Sequence, residues 1–282
     1  MIVILSPEGK SETIYRIKRE VNKLGEKCNI FLLNSNNYIL DLDFNIECDL
    51  IHPRCGIGFY NNRITLYSWQ FMNSLDCKFI NPLDIVYLTS DKFKTLKILK
   101  KKVLVPKTAL VRDFEDAIKF MEKNNLNFPI VVKSNFSKCG ETVFKANNLE
   151  ELKNLTKNAL WDSILVQEYI DFKSNGVFKD IRVLVLDGEI VGAYSRVSKD
   201  FRTNLYLGNK VENVELNKDI EDIVEKCYSL VEAPILGIDI LPTKDGYYVL
   251  ELNSAPGTKG FRELNKNVDK EIAKLLVEYA KK

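Results

Sequence analysis

Residues 237–257, GIDILPTKDGYYVLELNSAPG, constrain this chain more than any other stretch. They read as a hairpin: an apolar strand over 237–241, a turn cluster over 242–246 and a second strand over 247–253. Alternate residues of a strand share a face, so Glu251 and Asn253 point the same way. Tyr248, Leu250 and Leu252 are expected on one face, matched by Ile238 and Ile240. Tyr247, Val249, Glu251 and Asn253 are expected on the other, which leaves Asp239 opposite Glu251 or one diagonal step away. Like charges that close across a sheet destabilise it, and burial raises the cost. Either the two carboxylates are solvated on an exposed sheet face, or a divalent cation lies between them. An all-oxygen donor set on a rigid scaffold suits Mg²⁺ or Mn²⁺.

The rest of the chain supplies an α/β frame. A strand over 2–5, a helix over 11–23 closed by Gly25, and strands in CNIFLLN and CDLIHPR begin it. The helix NRITLYSWQFMNSL and a short strand in CKFINP follow, implying an open, mostly parallel sheet of about 85 residues. Next, Ser90 can cap the helix DKFKTLKILKKK, and Asp113 can cap DFEDAIKFMEKNN. The strand FPIVVKSN carries Lys133 at its end, and Asn148 with Glu151 form a capping-box-like helix start. SILVQEYI is an apolar strand, and KDIRVLVLDGEIVGAYSRV a hairpin around Asp187-Gly188. Helices over about 218–232 and in NVDKEIAKLLVEYAKK complete the chain.

Composition excludes several functions. A net charge of +2 over 282 residues leaves no electrostatic footprint for nucleic acid or an anionic membrane. No apolar run nears the roughly 20 residues that span a bilayer, and MIVILSPEG has neither the length nor the basic start of an export signal, so a cytoplasmic protein is expected. None of the six cysteines forms a CxxC pair, and reduced, mostly buried thiols follow. The single histidine, His52, stands before Pro53 with no nucleophile motif nearby and reads as a strand-end residue. Gly9-Lys10-Ser11 resembles the end of a phosphate-binding loop, but Ile4 occupies the position of its first glycine.

Features in a fixed order carry the functional signal. Asp91-Lys92 opens a helix, Lys133 ends a buried strand, Gly140 lies in the following loop, and Gln167-Glu168-Tyr169-Ile170 ends another strand. KDIR, SR, FRTNL, GIDI and ELNSAPG follow, with twelve residues from Asp239 to Glu251. In this order and spacing the chain resembles the ATP-grasp superfamily, and within it the RimK-like α-L-glutamate ligases. These are related to LysX-type ligases and, more distantly, to glutathione synthetase and D-alanine–D-alanine ligase. The resemblance implies an ATP-grasp fold behind a Rossmann-like N-terminal domain, divided into an N-terminal domain over 1–87, a central subdomain over 88–170 and a C-terminal subdomain over 171–282.

The resemblance also implies roles. Asp239, Glu251 and Asn253 would hold two Mg²⁺ or Mn²⁺ ions against the ATP triphosphate, with Glu251 bridging. Lys92 and Lys133 match the family's phosphate-contacting lysines. For Lys133 the alternative is a strand-end lysine reaching solvent. Gln167, Glu168 and Tyr169 fall beside the adenine, Asp180 at the ribose, and Arg202, Thr203 and Asn204 beside the triphosphate. Tyr206 and Leu207 replace basic or imidazole residues common in the family. The loop over 136–141 stands where relatives have a glycine-rich flap, and only Gly140 remains there. Arg182 and Arg196 match the pair that neutralises the γ-phosphate and the tetrahedral intermediate. A two-residue turn at Asp187-Gly188 would place them on opposite faces. A three-residue loop over 186–188 with a bulged Gly188 places them on one face, which is the arrangement expected.

The implied reaction is ATP-dependent joining of a carboxylate to an amine through an acyl phosphate, adding L-glutamate to an acceptor carboxylate. The acceptor classes are a deazaflavin coenzyme, tetrahydromethanopterin, an amino-acid carrier protein or a protein tail; the near-neutral charge favours a small molecule. Phe261 reads as core rather than ligand, and a dimer or tetramer is implied. Two other readings stay open: a different ATP-grasp amino-acid or dipeptide ligase, and a catalytically silent ATP-binding protein.

Overall fold

The computed structural model describes residues 1–7, 9–33, 42–55, 63–136, 142–157 and 163–282, with side chains of the second helix described from Trp69 onward. Its strands form three sheets. The first is parallel, in the order β2-β1-β3, from β1 (Ile2–Ser6), β2 (Cys28–Leu32) and β3 (Leu50–Pro53). The second is antiparallel, in the order β4-β7-β5-β6, from β4 (Thr108–Val111), β5 (Ile130–Ser134), β6 (Val143–Ala146) and β7 (Ile164–Glu168). The third runs β11-β10-β9-β12-β13, with β8 (Lys173–Ser174) paired to β9 (Val177–Leu186). Its other strands are β10 (Glu189–Ser198), β11 (Lys210–Glu212), β12 (Ile235–Thr243) and β13 (Gly246–Asn253). The short strand expected in CKFINP is a single parallel bridge between Ile51 and Phe79.

Nine helices complete the described residues: α1 (Glu12–Lys23), α2 (Arg63–Ser74), α3 (Leu83–Ser90), α4 (Lys92–Leu99), α5 (Phe114–Lys123), α6 (Leu149–Lys157), α7 (Lys218–Val231), α8 (Lys259–Glu263) and α9 (Val268–Lys281). Asp113 caps α5 by accepting from Asp116 N at 2.9 Å, and Asn148 caps α6 through Glu151 N at 2.9 Å. Glu151 reaches back to Asn147 N at 2.8 Å, which completes the box one residue earlier than its usual partner. Two helices were not expected, α3 and α8. Ser90 ends α3 rather than capping α4; the cap is Asp91, which accepts from Lys94 N at 2.9 Å. The aspartate carboxylate faces the free amides of the first turn and outcompetes the hydroxyl, which instead bonds Val86 O.

The third sheet has two unlike faces. Ile181, Val183 and Val185 of β9 pack with Leu236, Ile238 and Ile240 of β12 against Val224 and Cys227 of α7. The opposite face carries Leu184, Leu186 and Ile235 against Phe261 of α8 and Val268 and Ile272 of α9, joined to the core of the first sheet. Phe261 is fully buried, as expected of a core residue. Further along this second face Asp180, Arg182 and Asp239 follow at two-residue steps from Leu184 and Gly237. One sheet face thus changes from apolar to ionic along its length, next to the N-terminal sheet.

Among the described residues, Cys28, Cys48, Cys55, Cys77 and Cys227 are free thiols, and His52 is fully buried with Nδ1 2.8 Å from Ile80 O. No described helix is long and apolar enough to cross a membrane.

Candidate active site

Asp239 pairs directly with Glu251 across β12 and β13, and Gly237 pairs with Asn253. The hairpin is bulged at the next step, where Ile240 pairs with Val249 and Leu250 is the extra residue. The bulge corrects the expected faces. Val249 joins Ile238, Ile240 and Leu252 in the core, while Tyr248 and Leu250 turn to a separate cluster with Phe172 and Phe178. Glu251 and Asn253 stay together, Asn253 Nδ2 donating to Glu251 Oε1 at 3.2 Å.

Arg182 and Arg196 lie on the same face as this carboxylate pair. The device differs from the expected one. The turn is two residues, Asp187 and Gly188, both at positive φ (45° and 89°), and Leu186 pairs with Glu189. A bulge at Val191, between the pairs Ile190–Val185 and Gly192–Leu184, shifts the register by one and returns Arg196 to the face of Arg182.

Arg182, Arg196, Asp180 and Asp239 form one buried network, with part-exposed Glu251 at its edge. Arg182 forks onto Asp239, its Nη2 2.6 Å from Oδ2, and lies 3.9 Å from Glu251 Oε1. Arg196 forks onto Asp180, with Nε 2.8 Å from Oδ1, and reaches Asp239 Oδ2 at 2.8 Å through Nη2. Burial opposes charge on all of them, yet Asp180 and Asp239 raise the Arg196 pKa above its ordinary value, and the two arginines hold Asp239 well below the usual carboxylate range. Asp180, expected at the ribose, is 1% exposed; its carboxylate is taken by Arg196 and by the Thr203 hydroxyl, which donates to it. It is placed to position Arg196.

Two lysines complete the cluster. Lys133 is buried and donates to Gln167 Oε1 at 2.9 Å, while Gln167 Nε2 donates to Thr108 Oγ1 at 2.7 Å. Burial, and then the Lys92 charge, lower the Lys133 pKa to about 8, with Glu251 pulling the other way. Lys133 is therefore held inside the site rather than reaching to solvent. Lys92 is also buried, its Nζ 3.4 Å from Asn135 O. Asn135 ties this corner together, accepting from Phe93 N at 2.8 Å and donating to Asp91 at 3.0 Å.

The remaining expected residues line the periphery. Glu168 accepts from Lys107 N at 3.0 Å, so its side chain secures the end of β7. Tyr169 stands edge-on to Phe201 at 6.1 Å, and Lys145 Nζ lies 5.3 Å from the Tyr169 ring. Lys145 had no motif to mark it, and Phe201 lies in FRTNL without having been singled out. Arg202 pairs with Asp200 at 2.9 Å, and Asn204 precedes a short 3₁₀ turn, Leu205–Leu207, on which Tyr206 is exposed. Gly140 and the rest of the flap segment over 137–141 lie outside the described residues.

The donor set can be judged for a metal. Among the described residues no group of three or more His, Cys, Asp or Glu side chains is placed to hold a metal ion. Two carboxylates and an amide oxygen, all hard donors, still suit Mg²⁺ or Mn²⁺. Glu251 is part-exposed and not in a close ion pair, and fits directly. Both oxygens of Asp239 are engaged by arginines, so it would serve as a ligand only with those contacts loosened. The four cations Lys92, Lys133, Arg182 and Arg196 face three carboxylates, Asp180, Asp239 and Glu251, an excess suited to a polyphosphate.

Residues 89–276 match the RimK-like ATP-grasp domain. The chain is 60% identical, over 99% of both chains, to the coenzyme γ-F420-2:α-L-glutamate ligase of Methanocaldococcus jannaschii. Two solved structures share the fold at low identity. A RimK domain ATP-grasp protein from Sphaerobacter thermophilus gives a TM-score of 0.75 at 15% identity, covering 98% of this chain and 100% of that one. The D-alanine–D-alanine ligase of Bacillus anthracis complexed with ATP gives 0.69 at 16%, covering 99% and 95%. The chain belongs to the RimK-like ATP-grasp family. It is an ATP-dependent carbon–nitrogen ligase.

Proposed function

We propose that this ligase adds L-glutamate, in α linkage, to coenzyme γ-F420-2. The 60% identity to a ligase of that name across 99% of both chains carries the choice of substrates. The arginine-flanked hairpin supports the chemistry. A carboxylate does not react with an amine unaided. An acceptor carboxylate oxygen takes the γ-phosphoryl group of ATP, ADP leaves, and the glutamate amine attacks the acyl carbon. The carbon–oxygen bond then breaks, and phosphate departs with its electron pair.

The residues divide this work. Lys92 and Lys133 hold phosphate oxygens, and Gln167 orients Lys133. Arg182 and Arg196 neutralise charge on the transferring phosphoryl group and on the tetrahedral intermediate. Asp239, Glu251 and Asn253 would hold Mg²⁺ or Mn²⁺, two ions in all. Bound there, the ions supply charge neutralisation across the phosphate oxygens. Glu168 and Tyr169 mark the adenine side, and Arg202, Thr203 and Asn204 the triphosphate side. The division into 1–87, 88–170 and 171–282, with one sheet in each, is part of the proposal, as are a cytoplasmic location and a dimer or tetramer.

Incubation with Mg-ATP, L-glutamate and a panel of acceptors, followed by mass spectrometry, tests it. Growth of γ-F420-2 by one glutamyl unit with matching ADP release is expected. Transfer to another acceptor alone overturns the substrate. ATP binding without ADP release on every acceptor favours a silent binding protein.

A further inference from the structure

Among the described residues three buried side-chain polar atoms have no hydrogen-bond partner: His52 Nε2, Arg54 Nη1 and Thr142 Oγ1. Two of them belong to His52 in β3 and to Arg54 immediately after it, alternate residues at the strand's carboxyl end. This is the end of a parallel sheet where α/β folds bind ligands. Arg54 continues the sheet through its own N–H, which donates to Leu5 O at 2.8 Å.

Arg54 also reaches the other wall of the site. Its Nη2 donates to Ala255 O at 3.3 Å and to Pro256 O at 3.0 Å. Pro256 packs on Gly237, where an added Cβ would stand 2.7 Å from Pro256 Cβ. Gly237 pairs with Asn253 and lies two residues before Asp239. One half of the guanidinium is thus fixed by backbone carbonyls within two contacts of the ionic hairpin. On the other half, Nη1 is buried without a hydrogen-bond partner.

No carboxylate lies within ion-pair distance of Arg54 among the described residues. Asp269, the acidic group whose field reaches it, is already held by Arg16 at 3.0 Å and by the Thr258 hydroxyl at 2.6 Å. Burial lowers the Arg54 pKa to about 10. A guanidinium with one buried, unpartnered nitrogen and no counter-ion is costly, and its planar fork is matched by a carboxylate. Both substrates bring carboxylates. Arg182 and Arg196, by contrast, have theirs in Asp180 and Asp239.

We infer that Arg54 is a substrate-binding residue whose free Nη1 edge receives a carboxylate of L-glutamate or of the acceptor's glutamyl tail. The inference rests on the ligase reading above. Arg54→Gln and Arg54→Lys keep a donor for the loop carbonyls and lose the fork. The Michaelis constants for L-glutamate and for γ-F420-2 are measured for both variants, alongside Mg-ATP affinity and melting temperature. A rise of about tenfold or more for one carboxylate substrate, with Mg-ATP affinity unchanged, is expected and names the source of the carboxylate. Both constants within twofold of the parent enzyme overturn the inference, whatever happens to melting temperature or kcat, because a loop clamp alone would produce that pattern. Loss of both constants together with Mg-ATP affinity in both variants also overturns it, since the residue then serves the fold. Failure of the parent enzyme to transfer glutamate would instead sink the ligase reading.

Discussion

Arg182 Nη2 lies 2.6 Å from Asp239 Oδ2 across the paired strands β9 and β12, and Arg196 shares the same oxygen at 2.8 Å. Asp239 is therefore the counter-ion of two buried arginines as well as a candidate metal ligand. Asp239→Asn should abolish turnover and destabilise the fold by about 3–5 kcal/mol, because it leaves two guanidinium groups undercompensated. Glu251 is part-exposed, so Glu251→Gln should lose Mg-ATP affinity while its stability stays within about 1 kcal/mol of the parent. Urea unfolding and nucleotide titration of the pair separate the two roles. Equal stability of both variants would contradict this dual role of Asp239.

Lys133 predicts a pH dependence. Its folded pKa of about 8 lies below the 10.5 of a free lysine. Between these values the unfolded chain holds a proton that the folded one has released, so stability of the nucleotide-free enzyme rises with pH across that window. Bound triphosphate favours the charged lysine. Mg-ATP binding at about pH 9 should then take up a proton and weaken as pH rises further. Calorimetry in buffers of different ionisation heat detects the uptake, and Lys133→Met should remove it. A binding enthalpy independent of buffer would refute the assignment.

Gly237 couples the hairpin to the loop after it. Gly237→Ala forces Pro256 to shift, since the new Cβ would meet Pro256 Cβ at 2.7 Å. A loss of about 1–3 kcal/mol is expected, with kcat/KM reduced about tenfold or more as the loop moves from Arg54. Thermal unfolding and steady-state kinetics check both, and a variant matching the parent in each would show the contact to be slack.

Asn81 is 1% exposed and bridges two chain segments. It donates to Ile235 O at 2.7 Å and Ser254 O at 2.9 Å, and accepts from Ile235 N at 2.7 Å. Asn81→Ala strands three buried backbone groups and should cost about 2–4 kcal/mol, measured by denaturant unfolding. A change below about 1 kcal/mol would mean that water replaces the amide.

Much of this site is legible in the sequence, for a physical reason. Asp239, Glu251 and Asn253 lie on one hairpin, where the two-residue period fixes facing residues. Lys133 stands out as a charge closing an apolar strand. The bulges at Leu250 and Val191 are not legible, because an extra residue in a ladder leaves no mark in composition. Asp187-Gly188 is legible as a turn, but its consequence for Arg196 follows from a register shift three residues later. Arg54 and Asn81 escape a sequence reading because their partners lie 202 and 154 residues away. Helix α3 escapes it because its eight residues, LDIVYLTS, carry little amphipathic pattern beyond a preceding Pro82.

The most direct test of the central claim follows oxygen. γ-F420-2 carrying heavy oxygen in its acceptor carboxylate is incubated with Mg-ATP, L-glutamate and the enzyme, and the released phosphate is analysed by mass spectrometry. An acyl phosphate requires one labelled oxygen to pass into phosphate for each amide formed, and that is the result expected. Amide formation with unlabelled phosphate would show that the carboxylate is activated by another route, and would contradict a phosphoryl-transfer role for Arg182, Arg196 and the Asp239–Glu251 hairpin.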